Sequence, residues 1–266
     1  MPIVTLLTDF GSQDYFVGAM KGVILSGNPA ARIVDITHEI PPQDIEAAAF
    51  ILLASYRSFP AGTIHVAVVD PAVGSDRRPL LIESAEQFFV GPDNGIFSWI
   101  CEREPDCQPI HLTNEKFFRR PVSTTFHGRD IFAPVAAALS NGVAAREFGE
   151  KVRDFVRLRS LKPKAGAGCF EGRVIHIDRF GNCITNLTRD HLPENSFDSG
   201  AKLIVNGREI WAFRRFFAEA GGGKDEIFCL FGSAGFLEIS TRNSSAEKIL
   251  KAQRGEPVVL VSGRVD

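Results

Sequence analysis

The chain has 266 residues, an ordinary apolar fraction of 44% and a formal charge of −2, which suits one or two folded domains with a sizeable core. The densest basic clusters are the pairs Arg77-Arg78, Arg119-Arg120 and Arg214-Arg215, so nothing supplies the basic surface that a nucleic-acid binder needs, and no apolar run is long enough to span a bilayer. The five cysteines, Cys101, Cys107, Cys169, Cys183 and Cys229, contain no CxxC pair, which argues against a zinc knuckle or a redox dithiol. Reduced structural thiols in a cytoplasmic protein are the expectation. The chain opens directly into an apolar run with no charged leader, in keeping with that location.

The first half alternates strand and helix signals. Ile3–Leu7 is a short apolar run that ends at Thr8-Asp9-Phe10-Gly11. Asp14–Ser26 carries Phe16, Val17, Met20, Val23 and Ile24 at helical spacing, and Gly27-Asn28-Pro29 stops it. Arg32–Ile36 reads as a second strand. A helix rich in Ala, Ile and Leu runs from Pro41-Pro42-Gln43-Asp44 through Tyr56 to a break at Pro60-Ala61-Gly62. Thr63–Val69 is β-branched and largely apolar, as a strand buried on both faces should be. Pro79–Ser84 and Phe88–Val90 suggest a strand pair, Ile96–Glu102 a short helix, and Asp130–Ser140 an Ala-rich helix closed by Asn141-Gly142. Strands separated by helices predict an α/β domain with a mainly parallel sheet over residues 1–160.

Residues 161–168 are polar, contain Pro and Gly, and lack periodicity, which reads as a linker. Beyond them lie short strand-like runs at Gly172–Ile177, Ala201–Val205, Phe228–Phe231, Phe236–Ser240 and Pro257–Ser262, with Asn206-Gly207 a strong hairpin signal. With one helix at Ser244–Lys251, residues 169–266 predict a smaller all-β, barrel-like domain.

Ligands of parallel α/β sheets gather beyond the carboxyl ends of the strands. The polar residues there are Thr8-Asp9, Thr37-His38-Glu39 and Asp70-Pro71 with Arg77 and Arg78 following, and His127-Gly128-Arg129-Asp130 precedes a helix. Each has a structural alternative. Asp9 and Asp130 suit helix N-caps or turns, and Asp70 before Pro71 suits a turn. Arg77 and Arg78 suit solvent, His127 suits a hydrogen-bonded loop, and His38 and Glu39 read as structural. An Asp, an Arg and a His brought together could instead hold and polarise a water. In the second domain, Asp178, Phe180 and Asn182 could pair with an ammonium group, stack on a base and hydrogen-bond its edge. A β-turn with a buried Phe is the alternative.

Six segments occur in order: Thr8–Gly11; Val69–Gly74 with Arg77-Arg78; Gly91-Pro92-Asp93-Asn94-Gly95; Thr125–Pro134; Ile177–Asn182; and Gly232–Ile239. This series resembles the S-adenosyl-L-methionine (SAM) hydroxide adenosyltransferases, or SAM hydrolases, relatives of the fluorinating and chlorinating enzymes that act on the same substrate. The resemblance implies an α/β N-terminal domain, a β-barrel-like C-terminal domain and a homotrimer. It places active sites between the N-domain of one subunit and the C-domain of the next. The implied reaction is SAM plus water giving adenosine and L-methionine, with no metal or organic cofactor.

By position, Asp70, Arg77 and His127 match the family's water-activating triad, with Arg77 preferred to Arg78 by spacing. Asp9 matches the carboxylate that grips the ribose hydroxyls. Asp14, Asp178 and Ser233 fall at the methionine end, and Phe180, Asn182 and Asn243 around the adenine. The halogenating relatives carry an aromatic hydroxyl at the Asp70 position and a long insertion between Leu81 and Phe89, so the acidic Asp70 and the short Glu83–Gln87 stretch favour hydrolysis over halide transfer; Ala234 stands where those relatives carry an arginine. A non-catalytic SAM- or nucleoside-binding regulator would have no need of the whole triad. A metal-dependent hydrolase built on His38, His65, Asp70 and His127 lacks ligand spacing. Hydrolysis fits the chemistry of a sulfonium, from which methionine departs as a neutral thioether without a general acid. The demand is to line up water behind the carbon–sulfur bond, and positioning of that kind contributes roughly 7–11 kcal/mol at best.

Overall fold

The computed structural model describes residues 1–192, 200–219, 223 and 225–261. The chain divides into two compact units, Met1–Ser160 and Leu161–Asp266.

The first unit is built on a sheet of seven strands: β1 (Ile3–Thr8), β2 (Arg32–Thr37), β3 (Ile64–Val68), β4 (Pro79–Ser84), β5 (Gln87–Pro92), β6 (Gln108–Leu112) and β7 (Gly149–Lys151), in the order β2-β1-β3-β5-β4-β6-β7. Three neighbouring pairs are parallel (β1 with β2, β1 with β3, β3 with β5). Three are antiparallel (β4 with β5, β4 with β6, β6 with β7). The sheet is therefore mixed, which corrects the expectation of a mainly parallel one. The cause is local. Ala85 and Glu86, at φ 51° and 58°, form a two-residue turn that folds β4 straight back on β5. The short strands β6 and β7 then extend the antiparallel half; neither carries a long apolar run.

Helix α1 (Phe16–Gly27) packs on α4 (Ala133–Ser140), and α2 (Ile45–Ser55) packs on α3 (Ser98–Arg103). Val17, Met20 and Ile24 of α1 join Val4, Leu6, Val66 and Val68 of the central strands in one core. Asp44 caps α2, its Oδ1 accepting from Ala47 N at 2.9 Å. The region expected as one helix from Asp130 begins as a π-helical turn, Gly128–Phe132. The carboxyl ends of β1, β2 and β3, being parallel, present Asp9, His38 and Asp70 along one edge of the sheet.

The second unit is antiparallel. Its strands are β8 (Lys164–Gly166), β9 (Cys169–Ile177), β10 (Cys183–Thr188), β11 (Lys202–Val205), β12 (Arg208–Ile210), β13 (Ile227–Phe231), β14 (Phe236–Thr241) and β15 (Pro257–Val261), with one short helix, α5 (Ala246–Leu250). The order is β12-β11-β15-β9-β10-β14-β13, and β8 pairs with β9. The ends of this row meet: Cys229 N donates to Ala212 O and Arg214 N to Cys229 O, each at 2.8 Å. The sheet is thus nearly closed around Val174, Leu203, Leu237, Ile239 and Val258. Residues 161–168, expected as a linker, contain β8, because Ala167 and Gly168 (φ 71°) make a hairpin turn onto β9. Pro/Gly composition here marks a turn within the unit. Asn206 and Gly207 form the expected hairpin turn between β11 and β12. Ser262 lies outside the described residues.

Cys101 and Cys107 are joined as a disulfide, their Cα atoms 5.1 Å apart, which corrects the expectation of five free thiols. The turn after α3 brings them together despite a separation of six residues. Cys169, Cys183 and Cys229 are free. Among the described residues, no helix is long and apolar enough to cross a membrane.

Candidate active site

Asp70 leaves the end of β3, and the chain then turns back through Val73 N→Asp70 O (3.2 Å) and Ser75 N→Ala72 O (3.1 Å) to deliver Arg77 to the same carboxylate. Arg77 Nε donates to Asp70 Oδ1 at 2.9 Å, and Nη2 donates to Oδ2. The same Nη2 donates to His127 Nδ1 at 2.7 Å. Asp, Arg and His therefore form one hydrogen-bonded chain. The Arg77 and Asp70 side chains are only 7% and 5% exposed. The guanidinium carbon of Arg77 lies 5.3 Å from the centre of the Phe132 ring, which forms the floor of the pair.

Three features hold these loops in register. Gly74, at φ 82°, lies so close to Thr124 that a Cβ would come within 2.1 Å of the Thr124 carbonyl oxygen, so a side chain there would drive the two loops apart. Asn94 Nδ2 donates to Val69 O at 2.7 Å and so fixes the end of β3 beside Asp70. Asp130 is fully buried and accepts from Arg129 Nε (2.7 Å) and Ser123 N (2.9 Å). It anchors the loop before His127 and caps no helix.

The adjacent arginines diverge. Arg78 donates to Asp93 Oδ2 through Nε at 2.9 Å and through Nη2 at 2.7 Å, and reaches Asp154 as well. It ties the Asp93 turn to the chain near Val156, whose N–H donates to Asp93 Oδ1 at 2.8 Å. Arg77 alone of the two joins Asp70 and His127.

Electrostatics define the state of His127. Burial pushes its pKa below the ordinary histidine range and the Arg77 charge pushes it further, opposed by Asp70 and Asp130. A guanidinium can only donate, so Nδ1 accepts, and the neutral ring carries its proton on Nε2. Arg77 Nη1 is buried and has no partner among the described residues. The chain thus leaves Arg77 Nη1 as a buried donor for an oxygen outside it, while the Nε2–H of His127 points to the far side of the ring.

The other histidines are engaged elsewhere. His65 accepts or donates at Thr5 Oγ1 (2.8 Å) and Gln87 Oε1 (3.1 Å) inside the sheet. His38 Nδ1 pairs with Thr8 Oγ1 at 2.9 Å. No group of three or more His, Cys, Asp or Glu residues suited to a metal occurs among the described residues.

Asp9 accepts at Oδ2 from Gln43 N, 2.8 Å away, and is no helix cap. Gln43 adopts a left-handed backbone, φ 66°, to make this contact. Its role was not legible in sequence. Asp14 is exposed ahead of α1. A cavity of about 830 Å³ lies between α1, α4 and the 116–119 segment, bordered by Tyr15, Lys116, Arg119 and Arg129 but by none of Asp70, Arg77 or His127.

In the second unit, Asp178 organises the turn between β9 and β10. Its Oδ1 accepts from Phe180 N and Asn182 N, both at 2.9 Å, and its Oδ2 accepts from Asn182 Nδ2 at 2.8 Å. The turn leaves the Phe180 ring 77% exposed, whereas the alternative reading had it buried. Gly181 sits against Ser245, where a Cβ would meet the hydroxyl at 2.1 Å, and its carbonyl accepts from Glu247 N at 2.9 Å. The Asp178 turn is thereby joined to the Asn243–Ser245 segment. Ser233 is exposed at the turn between β13 and β14, and Asn243 takes a left-handed backbone at φ 54°.

The chain thus carries a mixed α/β domain with a carboxylate–guanidinium–imidazole chain at its strand ends, and a barrel-like β domain bearing an exposed aromatic turn. Family models for the SAM hydroxide adenosyltransferase N-terminal and C-terminal domains match residues 4–149 and 172–259. The chain belongs to that family. A protein of Methanocaldococcus jannaschii named (R)-S-adenosyl-L-methionine hydrolase is 38% identical over 98% of this chain and 96% of its own. A Thermus thermophilus protein of the same name is 36% identical over 97% and 99%. A fluorinase of an Actinoplanes species is 27% identical over 92% of each chain. Among solved structures, an uncharacterized conserved protein of Thermotoga maritima matches with a TM-score of 0.90 and 33% identity, over 97% of this chain and 99% of that one.

Proposed function

We propose that this protein hydrolyses SAM to adenosine and L-methionine, the nucleophile being oriented by Asp70, Arg77 and His127. The observation that carries the reading is the hydrogen-bonded chain of these three residues, its Asp70–Arg77 pair buried and Arg77 Nη1 left without a partner among the described residues. Arg77 Nη1 donates to the attacking oxygen, His127 Nδ1 holds the guanidinium in place, and Asp70 balances its charge. A guanidinium donor facing the oxygen favours its hydroxide form over water. That oxygen attacks C5′, the C5′–S bond breaks with its electron pair passing to sulfur, and methionine leaves as a neutral thioether. The proton of the attacking water passes to solvent. His127 positions the guanidinium in this scheme and takes no proton, because Arg77 occupies its free nitrogen.

Asp9, steadied by Gln43, grips the ribose hydroxyls. Phe180 stacks on the adenine beside Asn182 and Asn243, while Asp14, Asp178 and Ser233 take the methionine end. The active unit is a homotrimer in which the N-domain of one subunit and the C-domain of the next share each site, and the protein works in the cytoplasm. The named relatives point to the (R)-sulfonium epimer as the substrate. Halide transfer is disfavoured by the tight two-residue turn at Ala85-Glu86, where the halogenating relatives carry a long insertion.

The test is to incubate the purified protein with each SAM epimer, in halide-free buffer and with chloride or fluoride, and to identify products by chromatography and mass. Adenosine plus methionine, unchanged by halide or EDTA and faster from the (R)-epimer, is the expected result. A halogenated nucleoside, or binding without turnover, would replace the reading.

A further inference from the structure

Glu238 is a carboxyl that the triad and the adenine turn leave unexplained. It lies in β14, directly opposite Leu230 of β13 and Ile184 of β10, so its cross-strand neighbours are apolar. Its carboxyl group rests on the backbone of the turn that presents Ser233. A Cβ on Gly232 would fall 1.6 Å from Glu238 Oε1 and 2.2 Å from Cδ, so only glycine leaves room for it. Gly232 N→Phe236 O (2.9 Å) and Gly235 N→Gly232 O (3.0 Å) close that turn around it. No hydrogen bond from a described residue reaches the carboxyl. Burial and the neighbouring Asp178 charge raise its pKa to about 7, where ordinary glutamates are fully ionised.

Asp178 is differently placed. Its oxygens already accept three hydrogen bonds from its own turn. Among the described residues no hydrogen bond engages the Glu238 carboxyl, which lies against Gly232, the neighbour of Ser233, and feels the charge of Asp178; Ser233 and Asp178 are both assigned above to the methionine end. Other titratable or charged groups near it are few. Cys183 on β10 is held as a thiol, pushed up to about 12 by burial, Glu247 and Asp178. Arg189, beyond β10, stacks on Phe231 of β13, 4.5 Å from the ring centre. His176 of β9 pairs with Ile184 and so lies in the same cross-strand row as Glu238, one strand further on.

We propose that Glu238 receives the α-ammonium group of the substrate's methionine end, with Asp178 shaping the turn beside it, and that Glu238 loses its proton to solvent as the substrate binds. This rests on the SAM-hydrolase reading and names the group that makes binding pH-sensitive. An ammonium placed beside the two half-buried carboxyls offsets the burial, and relieves the repulsion by Asp178, that together favour the protonated form of Glu238. A substrate lacking the ammonium gains nothing from this arrangement.

The experiment compares the wild-type protein with Glu238→Gln, which keeps the shape and removes the charge. For the wild type, KM for SAM should fall roughly tenfold between pH 6 and 7.5 as Glu238 becomes easier to ionise. Calorimetry in two buffers of different ionisation enthalpy should find about half a proton released per SAM bound at pH 7, since the carboxyl titrates near there. Glu238→Gln should release none, show a raised KM that no longer follows pH, and keep kcat within a few-fold. Inhibition by adenosine, which has no ammonium, should be the same in both proteins. A pH-independent KM and no proton release in the wild type, which needs no variant to fold, would overturn the proposal. So would a Glu238→Gln enzyme with the wild-type KM profile. If the wild type turns over neither epimer, the hydrolase reading fails instead.

Discussion

Asp70 and Asp178 each follow a β-strand and each accepts several hydrogen bonds, yet they are assembled on different length scales. The partners of Asp178 are two and four residues away, so the turn organises itself from local sequence. Asp70 meets Arg77 seven residues on, and Arg77 meets His127 fifty residues further on, across two loops held together by the close contact of Gly74 with Thr124. The first region is a self-contained turn that exposes an aromatic ring. The second is a buried ion pair whose geometry exists only when the sheet has formed. Buried pairs are sensitive to loss of one partner because the other is left charged and desolvated, whereas an exposed ring acts mainly through the ligand it covers.

The largest effect should come from Arg77→Met. It leaves Asp70 buried without its cation, which costs about 3–5 kcal/mol of stability, and it removes a donor from the nucleophile, so turnover should drop by more than ~10³-fold. Arg78→Met removes a structural tie to Asp93 and should leave kcat per folded molecule near the wild type. Thermal unfolding together with steady-state kinetics separates the two, and equal losses of kcat would erase the distinction between these neighbours.

His127→Ala should fold normally and lose about 10²-fold in turnover, because the guanidinium loses its support. The pH profile sharpens this. The neutral ring is the form that accepts from Arg77, and its pKa is depressed by burial and by that cation. Wild-type kcat should therefore hold as pH falls past the usual histidine value and decline only below it, when Nδ1 is protonated and faces the guanidinium. The same sign governs stability: this group's contribution is present above the unfolded-state value near 6.5 and is lost as pH falls beneath it. An acid limb centred at or above the usual histidine value would remove His127 from the mechanism.

Phe180→Ala should have the smallest effect. Stacking of a base on an aromatic ring contributes about 1–3 kcal/mol, so KM should rise about tenfold or somewhat more, with kcat and melting temperature little changed because the ring is 77% exposed. A large loss of stability would mean that the ring packs in the folded protein instead of meeting a ligand.

Much of the architecture follows from the sequence itself. Apolar runs mark β1, β2, β3 and the strands of the barrel, Asn206-Gly207 marks a hairpin, and helical spacing marks α1 and α2, because local propensity and burial agree at these places. Six ordered motifs also mark the family. What sequence cannot supply is pairing between distant segments. The direction of β4 is set by the two-residue turn at Ala85-Glu86, and the short strands β6 and β7 exist because β4 offers an edge to β6 and β6 in turn offers one to β7. The choice of Arg77 over Arg78, the tautomer of His127, the backbone support that Gln43 gives Asp9 and the place of Glu238 over Gly232 are decided by tertiary contacts. Each depends on which donor finds which acceptor once the chain has closed, and the enclosed surroundings of the packed protein magnify those choices.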